Sequence, residues 1–549
     1  MNQVTRREFL RWSALAGVSA VVAAGTGQLI SSNQGNLNHE ILIQGGLVYD
    51  GSESAPRVAD VGIKGDRIVA IGELTSNGAG VIDARGKIVT PGFIDVHTHV
   101  DRDFTESGNL ALLAYVLPEW KGNYNYLYQG VTTVVSGNCG YGHRDTTAWF
   151  DELRRVQFGS NVYHLAPHGE IRMELFGKQQ PAELSPEQLD RFKKRIALEM
   201  EKGAVGFSTG LAYGPGNLSS TEELIELAKV VKLYGGLYAT HIRTYTSDPT
   251  LNGQPGILEG FSEAIEIGRS ANIPVQLSHL QIQMGTRYPN CQPAQVLDII
   301  DRARQEGLDV TADQYPYAAG MTLISALLPD KFKSDKGVLD EYKTPQGREE
   351  IKNAIRGLFI DLPPEKILLL DGDYAGKTLA EGAQIAQKDP VDAYVDQVTK
   401  DKSPNGIVFQ QDMNYVKQLA LRDYVFTASD GLTHVALAMK AHPRMYGTFP
   451  RKIRQFALDE KLIDLNSVIR SMTSLPAAKF RMRGRGRIAG GYYADVAVID
   501  LDTIADLSTY EKADVFAKGI LYLLVNGVLE INNGQATGER GGKPLKRGE

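Results

Sequence analysis

The chain has 549 residues, 42% of them hydrophobic and 8% aromatic, enough for one large domain with an accessory one or for two to three ordinary domains. Its net charge is −6, and neither a basic run nor an acidic block interrupts it, so nothing marks a nucleic-acid partner or a disordered acidic tail. No internal repeat or low-complexity tract is evident.

At the N-terminus Arg6 and Arg7 precede Phe9, Leu10 and an apolar stretch over residues 14–24. That stretch is too short to span a bilayer comfortably. Its basic flank and small residues fit an export signal, with cleavage expected near Ala24, and the run TRREFL resembles a twin-arginine signal. Residues 1–30 are therefore expected to hand the protein to the twin-arginine export machinery, for a periplasmic or extracellular address. The alternative is a basic helix start that contains Arg-Arg by chance. No Cys follows the apolar run, so no stable membrane anchor is expected. Only two cysteines occur, Cys139 and Cys291. An exported protein could pair them, although one bridge would be an odd framework for so long a chain.

Residues 38–90 alternate apolar and polar residues and break at Gly and Asp, as in ILIQGGLVYDG and GVIDARGKIVTPG, which predicts short strands. Residues 483–535 repeat the pattern, with Asn526-Gly527 as a hairpin signal. Two such segments at opposite ends of one chain can share a single small sheet domain. The last residues, GERGGKPLKRGE, read as a loose tail.

Between them, over residues 91–482, strand and helix patterns alternate. Strand candidates are IVTPGFIDVH, VTTVVSGNC, NVYHLAPH, GAVGFSTG, GGLYATHIR, PVQLSHLQ, LDVTADQYPY and VFTASDG. Helices are expected at SPEQLDRFKKRIALEMEKG, at SSTEELIELAKVVKLYGG with Ser220 and Glu223 in capping-box spacing, and at QPAQVLDIIDRARQEG. Eight alternating units predict a (β/α)8 barrel, with an open doubly wound sheet as the alternative. The gap at about 318–424 is too long for a simple connection and is expected to be an insertion over the active-site face.

The chemistry-bearing residues fall at predicted strand ends. In a strand, residues two apart face the same way, so His97 and His99 in PGFIDVHTHVD can reach one metal ion together. Alone the pair could equally be hydrogen-bonded surface histidines. Cys139 ends the second strand, His168 the third, His241 the fifth, His279 the sixth and Asp430 the eighth. Active sites of such barrels lie on that face. Imidazole, thiolate and carboxylate are the usual zinc ligands, and a nearby carboxylate such as Asp430 can take and return a proton. Asp430 could instead be a helix N-cap, and Cys139 a buried small hydrophobe. His39, His143 and His164 read as structural, His434 and His442 as either structural or pocket-lining, and Cys291 has no assigned role.

PGFIDVHTH, the downstream histidines and the late Asp together resemble the amidohydrolase superfamily. GNCG, HGEIR, GAVGFSTGLAYGPG, YGGLYATHIR, ADQYPY, HPRMYGTFPR, MTSLPA and GRIAGGYYADVAVID are similar to its N-acyl-D-amino-acid deacylase (D-aminoacylase) branch, over about residues 40–530. The resemblance implies a (β/α)8 barrel with a small β-sandwich built from both chain ends. It implies that Cys139, His241 and His279 hold a tight zinc ion, that His97, His99 and Asp430 form a second, weaker site, and that Asp430 is general base and then general acid. The implied reaction is hydrolysis of an N-acyl-D-amino acid to a carboxylate and a free D-amino acid.

Substrate recognition departs from the pattern. Where the branch often carries SHHK the run here is SHLQ, so Gln281 replaces a lysine. Arg444, Tyr315 and His168 match the remaining substrate-binding positions. The rival readings are a dipeptidase or a cyclic-amide hydrolase of the same superfamily and, from another class, a non-catalytic exported binding protein that uses the barrel as a scaffold. The sequence names no oligomeric state.

Overall fold

The computed structural model describes residues 39–76, 78–101, 117–181, 183–245, 256–283, 291–333, 337–433 and 440–549. The expected export signal and His434 lie outside the described residues. No helix among the described residues is long and apolar enough to cross a membrane.

Five strands come first: β1 (Ile41–Val48), β2 (Arg57–Lys64), β3 (Arg67–Gly72), β4 (Gly80–Asp83) and β5 (Ile88–Pro91). Seven barrel strands follow: β6 (Phe93–Asp95), β7 (Val131–Ser136), β8 (Asn161–Pro167), β9 (Gly206–Gly210), β10 (Leu237–His241), β11 (Val275–Leu277) and β12 (Val310–Gln314). The long gap contributes β13 (Gly320–Leu323), β14 (Ile367–Leu369) and β15 (Asn405–Val408), and the barrel resumes with β16 (Val425–Thr427). The chain ends with β17 (Val496–Ile499), β18 (Ile520–Val525), β19 (Val528–Asn532) and β20 (Gln535–Ala536).

Strands β6 to β12 and β16 pair in chain order as one parallel sheet, every residue of which is buried, as parallel strands covered by helices require. The first and last strands meet beyond their ends. The Asp430 amide donates to the His97 carbonyl at 2.9 Å, and the His99 amide to the Gly431 carbonyl at 2.7 Å. The eight-stranded barrel predicted from the alternation is thus the observed fold.

The run IVTPGFIDVH, expected as one strand, is divided at Gly92. A side chain there would stand 2.3 Å from that of Thr132, and the Gly92 amide donates to Asp495 at 2.8 Å. The close approach turns β5 into the small domain and sends β6 into the barrel. In the small domain β5 lies between β1 and β17, so strands from both chain ends form one nine-stranded mixed sheet. Ile43, Val61, Ile68, Val89, Val496, Val498 and Leu524 share its core. Asn526 and Gly527, at φ 48° and 78°, make the two-residue turn between β18 and β19, as the pair predicts.

The three predicted helices form at Pro186–Lys202, Thr221–Leu233 and Pro293–Gln305. Ser185 and Gln188 close a full capping box. The box expected at Ser220 is half made. Ser220 accepts from the Glu223 amide at 3.1 Å, but the Glu223 carboxylate is taken by Arg172 and His168 instead of returning to the cap.

The expected loose tail is ordered against the barrel. Leu545 is buried, its amide donates to Val162 at 2.8 Å, and Arg547 donates to the carbonyls of Met200 and Ala204. Residues 318–424 form a subdomain with its own sheet, in the order β13-β15-β14, and a core that includes Ile324, Ile351, Ile367 and Tyr394. Its residues Met321 and Gln411 line the cavity that opens beside His241 and His279.

Candidate metal centre

The donors stand just past the strands, where the backbone is free to turn. Cys139 sits in the short turn Asn138–Gly140 after β7, His241 is the last residue of β10, and His279 and Asp430 follow β11 and β16. Cys139, His279 and Asp430 hold left-handed φ angles of 54°, 35° and 50°. Non-glycine residues adopt that region at a cost, and such strain gathers at functional sites. The glycines of GNCG have a steric reason: at Gly137, φ 78°, a side chain would meet the Leu165 carbonyl at 2.1 Å.

Two groups of donor atoms share His97. In one, His97, Cys139 and His279 place their ligating atoms within 4.8 Å of one another; in the other, His97, His99 and Asp430 do so. Cys139 Sγ lies 3.3 Å from His97 Nε2, 3.7 Å from His241 Nδ1 and 3.8 Å from His279 Nε2. Asp430 Oδ1 lies 3.1 Å from His99 Nε2 and 3.5 Å from His97 Nε2. Six of the seven residues predicted at strand ends therefore meet at one place, His168 being the exception. His97, assigned by resemblance to the weaker site alone, stands between the two groups, and His241 joins the first through Cys139. One thiolate, four imidazoles and one carboxylate, buried together, are a donor set that suits a zinc-type divalent ion.

The electrostatics divide the donors: Cys139, Asp430 and His241 are held in ligating forms. For His97 and His99 burial opposes the charge, but the surrounding Cys139 and carboxylates raise both imidazoles above their usual range. Burial pushes the Cys139 thiol up, but the His97 charge and hydrogen bonds from His241, His279 and His97 hold it well below the usual thiol range. Burial likewise opposes ionisation of Asp430, yet Arg444 and the surrounding imidazoles keep its carboxyl well below the usual carboxylate range. Burial and the neighbouring His279 bring His241 down to about 4, so its ring is neutral.

Two carboxylates behind the donors escaped the sequence reading. Asp313 Oδ1 accepts from His97 Nδ1 at 3.2 Å and from the His279 amide at 2.7 Å, while Oδ2 accepts from Gln276 at 2.8 Å. This fixes which His97 nitrogen faces the donors, the usual service of a residue behind a ligand. Asp95 accepts from the amides of His97 and Ser429 at 3.1 Å, tying the first barrel strand to the last, and burial raises its carboxyl to about 7. Both lie two residues before an assigned residue, so the rule that paired His97 with His99 also points to them.

A cavity of about 390 Å³ opens beside His241, His279 and Asp430. Gln281 and Tyr315 line it, and the insertion supplies Met321, Lys333 and Gln411 to its wall. Arg444 and His168 are placed elsewhere. Arg444 is buried behind the cavity, with Nη1 2.9 Å from Asp430 Oδ2 and its guanidinium 4.7 Å from the Tyr315 ring centre. His168 opens the helix His168–Phe176, stacked on Phe192 and bonded to Glu223 at 3.1 Å. Its position after the third strand resembles that of the other donors, but Glu223 and Arg172 hold it in the helical layer. His442 is buried between the Ala319 carbonyl and the Arg444 amide, and His164 between Ser136 and the His143 carbonyl, both structural. Cys139 and Cys291 form no disulfide, and Cys291 is buried in the outer core.

Comparison with known proteins gives this arrangement a family. The Amidohydrolase family profile matches residues 80–159 and 166–529. N-acyl-D-glutamate deacylase from Alcaligenes xylosoxydans xylosoxydans is 32% identical, covering 89% of this chain and 93% of its own. D-aminoacylase from the same organism is 31% identical, over 92% and 98%. The crystal structure of N-acyl-D-glutamate deacylase from Bordetella bronchiseptica, complexed with zinc and a phosphonate mimic of the tetrahedral intermediate, superposes with a TM-score of 0.76 at 28% identity, over 93% of this chain and 100% of that one. A D-aminoacylase structure described for its binuclear metal centre matches to the same extent. With its barrel, its metal-ligating mouth and a family match over most of its length, the chain belongs to the amidohydrolase family.

Proposed function

We propose that the protein is a zinc-dependent N-acyl-D-amino-acid deacylase. The observation that carries this reading is the placement of Asp430, with Oδ1 against the shared donors His97 and His99 and Oδ2 against Arg444, at the edge of a cavity sized for a small acylated amino acid. The relatives named as deacylases support the substrate class, and the Cys-His donor set supports zinc.

His97, Cys139, His241 and His279 would hold the ion, with His99 and Asp430 completing a weaker position beside it. When bound, such an ion supplies Lewis acidity, polarising the scissile carbonyl and lowering the pKa of an attacking water. Asp430, kept ionised by Arg444, accepts the water proton as the C–O bond forms. It then delivers that proton to the amide nitrogen as the C–N bond breaks, releasing a carboxylate and a free amine. Asp313 holds the His97 ring in register throughout. The residues 1–30 support export through the twin-arginine route, which a signal-fusion assay with Arg6 and Arg7 both changed to Lys would test.

The deciding experiment is hydrolysis of paired N-acetyl-D- and N-acetyl-L-amino acids by the zinc-loaded protein. Turnover confined to the D series is expected. Turnover of a hydantoin or a dipeptide in its place would refute the proposal.

A further inference from the structure

Two walls of the cavity differ in chemistry. On the side of Asp430 the wall is polar. Gln281 and Tyr315 line it, and the Gln281 carbonyl accepts from Tyr315 at 2.7 Å and from Gln411 at 2.6 Å. Behind them stands Arg444, its guanidinium 4.7 Å from the Tyr315 ring centre. Arg444 Nε and Nη1 are buried without a hydrogen-bond partner among the described residues. A guanidinium and its neighbouring donors suit the α-carboxylate that every N-acyl-amino acid carries.

The insertion supplies an apolar wall. Ala326, Leu327, Leu328 and Pro329 line the cavity from one short segment, and Ala354 and Leu358 from the helix Pro345–Asp361. Gly357 lines it between them, on the same helix face. A side chain at Gly357 would meet nothing within 4 Å, so the helix leaves open space there. Charged groups on this side are few: Lys333 donates to the Ala212 carbonyl at 3.2 Å, Arg243 is held by Glu263 at 2.8 Å, and Asp361 ends the helix.

Strand order sets the two walls apart. Tyr315 follows β12, and Asp430, with Arg444 against it, follows β16. The insertion segment reaches the other side, where Lys333 bonds Ala212 just past β9, and β9 lies across the closed ring from β16. In the substrate the α-carboxylate is on the nitrogen side of the scissile amide and the acyl chain on its carbon side. A carboxylate held toward β12 and β16 therefore sends the acyl chain toward β9 and the insertion.

We infer that the insertion wall is an acyl subsite, selecting an unbranched apolar acyl chain longer than acetyl; the inference rests on the deacylase reading. An acetyl group ends one carbon past the carbonyl and leaves the wall in water. Each further methylene laid against the wall gains by leaving water itself.

The test varies one half of the substrate at a time, as kcat/KM of the zinc-loaded full-length protein on N-acetyl-D-alanine, N-hexanoyl-D-alanine and N-acetyl-D-leucine. The hexanoyl substrate is expected to exceed N-acetyl-D-alanine by about tenfold or more, chiefly through KM, and to gain more than N-acetyl-D-leucine does. Gly357→Leu replaces a helix glycine by a better helix former and fills the open space, so it should fold and bring the hexanoyl to acetyl ratio close to one. No gain from the longer acyl chain, a larger gain from the leucine side chain, or an unchanged ratio in Gly357→Leu would each overturn the acyl subsite while leaving the deacylase in place. No turnover of any of the three would overturn the deacylase reading and the subsite with it.

Discussion

The two ends of the barrel are built by opposite rules. At the mouth, buried charges crowd together, and Cys139, His279 and Asp430 sit on left-handed backbone. At the other end the C-terminal tail runs alongside β8, with Leu545 in the core and the Tyr163 hydroxyl donating to the Glu549 carbonyl at 2.5 Å. Beside it the buried pair Arg485 and Asp495 is completed by Asn526 and Asn161. At the mouth His99 Nδ1, His279 Nδ1 and Arg444 Nε have no hydrogen-bond partner among the described residues, whereas at the base Arg485 and Asp495 answer one another and only Arg485 Nε is left over. The contrast separates residues that cost stability for chemistry from residues that supply it.

The sharpest way to break this contrast is at Asp430. Asp430→Asn should lower kcat by about 10²–10⁴-fold, the usual worth of a general acid–base, with bound zinc measured by elemental analysis largely retained. Full activity in that variant would remove Asp430 from the mechanism. At the base the effect should fall on stability and spare kcat. Arg485→Met leaves Asp495 buried without its partner and should cost about 3–5 kcal/mol in denaturant unfolding, while kcat of the folded fraction stays unchanged. Leu545→Ala should cost about 3 kcal/mol, again without loss of kcat. A catalytic loss in either base variant that exceeds its loss of folded protein would show that the two ends are coupled.

The smallest effect concerns Lys452, a buried lysine in the helical layer near the Ser471 hydroxyl, brought down to about 7 by burial. The unfolded chain binds that proton more tightly than the folded one, so this residue penalises folding fully below about pH 7, and the penalty fades as pH rises toward the unfolded value near 10.5. Lys452→Met should therefore stabilise the protein by about 2 kcal/mol at pH 6 and by progressively less above pH 8, read from melting curves across pH. A gain independent of pH would mean that the lysine keeps its proton access in the fold.

Much of the mouth was legible in the sequence because its donors fall at strand ends, and strand ends can be read from alternation. The barrel's eight strands were legible for the same reason. What sequence cannot display is which side chain answers which across the fold. Glu223 has the spacing of a capping box, yet Arg172 and His168 claim it; His168 follows a strand as the donors do, yet the same cluster holds it in the helical layer. Arg444 has the fork for a substrate carboxylate, but its nearest anion is Asp430. The tail has loose-tail composition, and the β8 backbone and the Met200 and Ala204 carbonyls beside it make it structural. Asp313 was overlooked although it stands two residues before Tyr315, because its partners lie on the first and sixth strands.

The position of β5 between β1 and β17 bears on the order of synthesis. While the ribosome is still making the barrel, β1 to β5 are already out, and β5 has one edge unpaired until residues 496–499 emerge. Folding that starts from the N-terminus must therefore hold an open sheet edge through almost the whole of translation, a state in which chains pair wrongly with one another. A chain that stops before Val496 lacks the strand that pairs with β5, so that edge is closed only by residues made last.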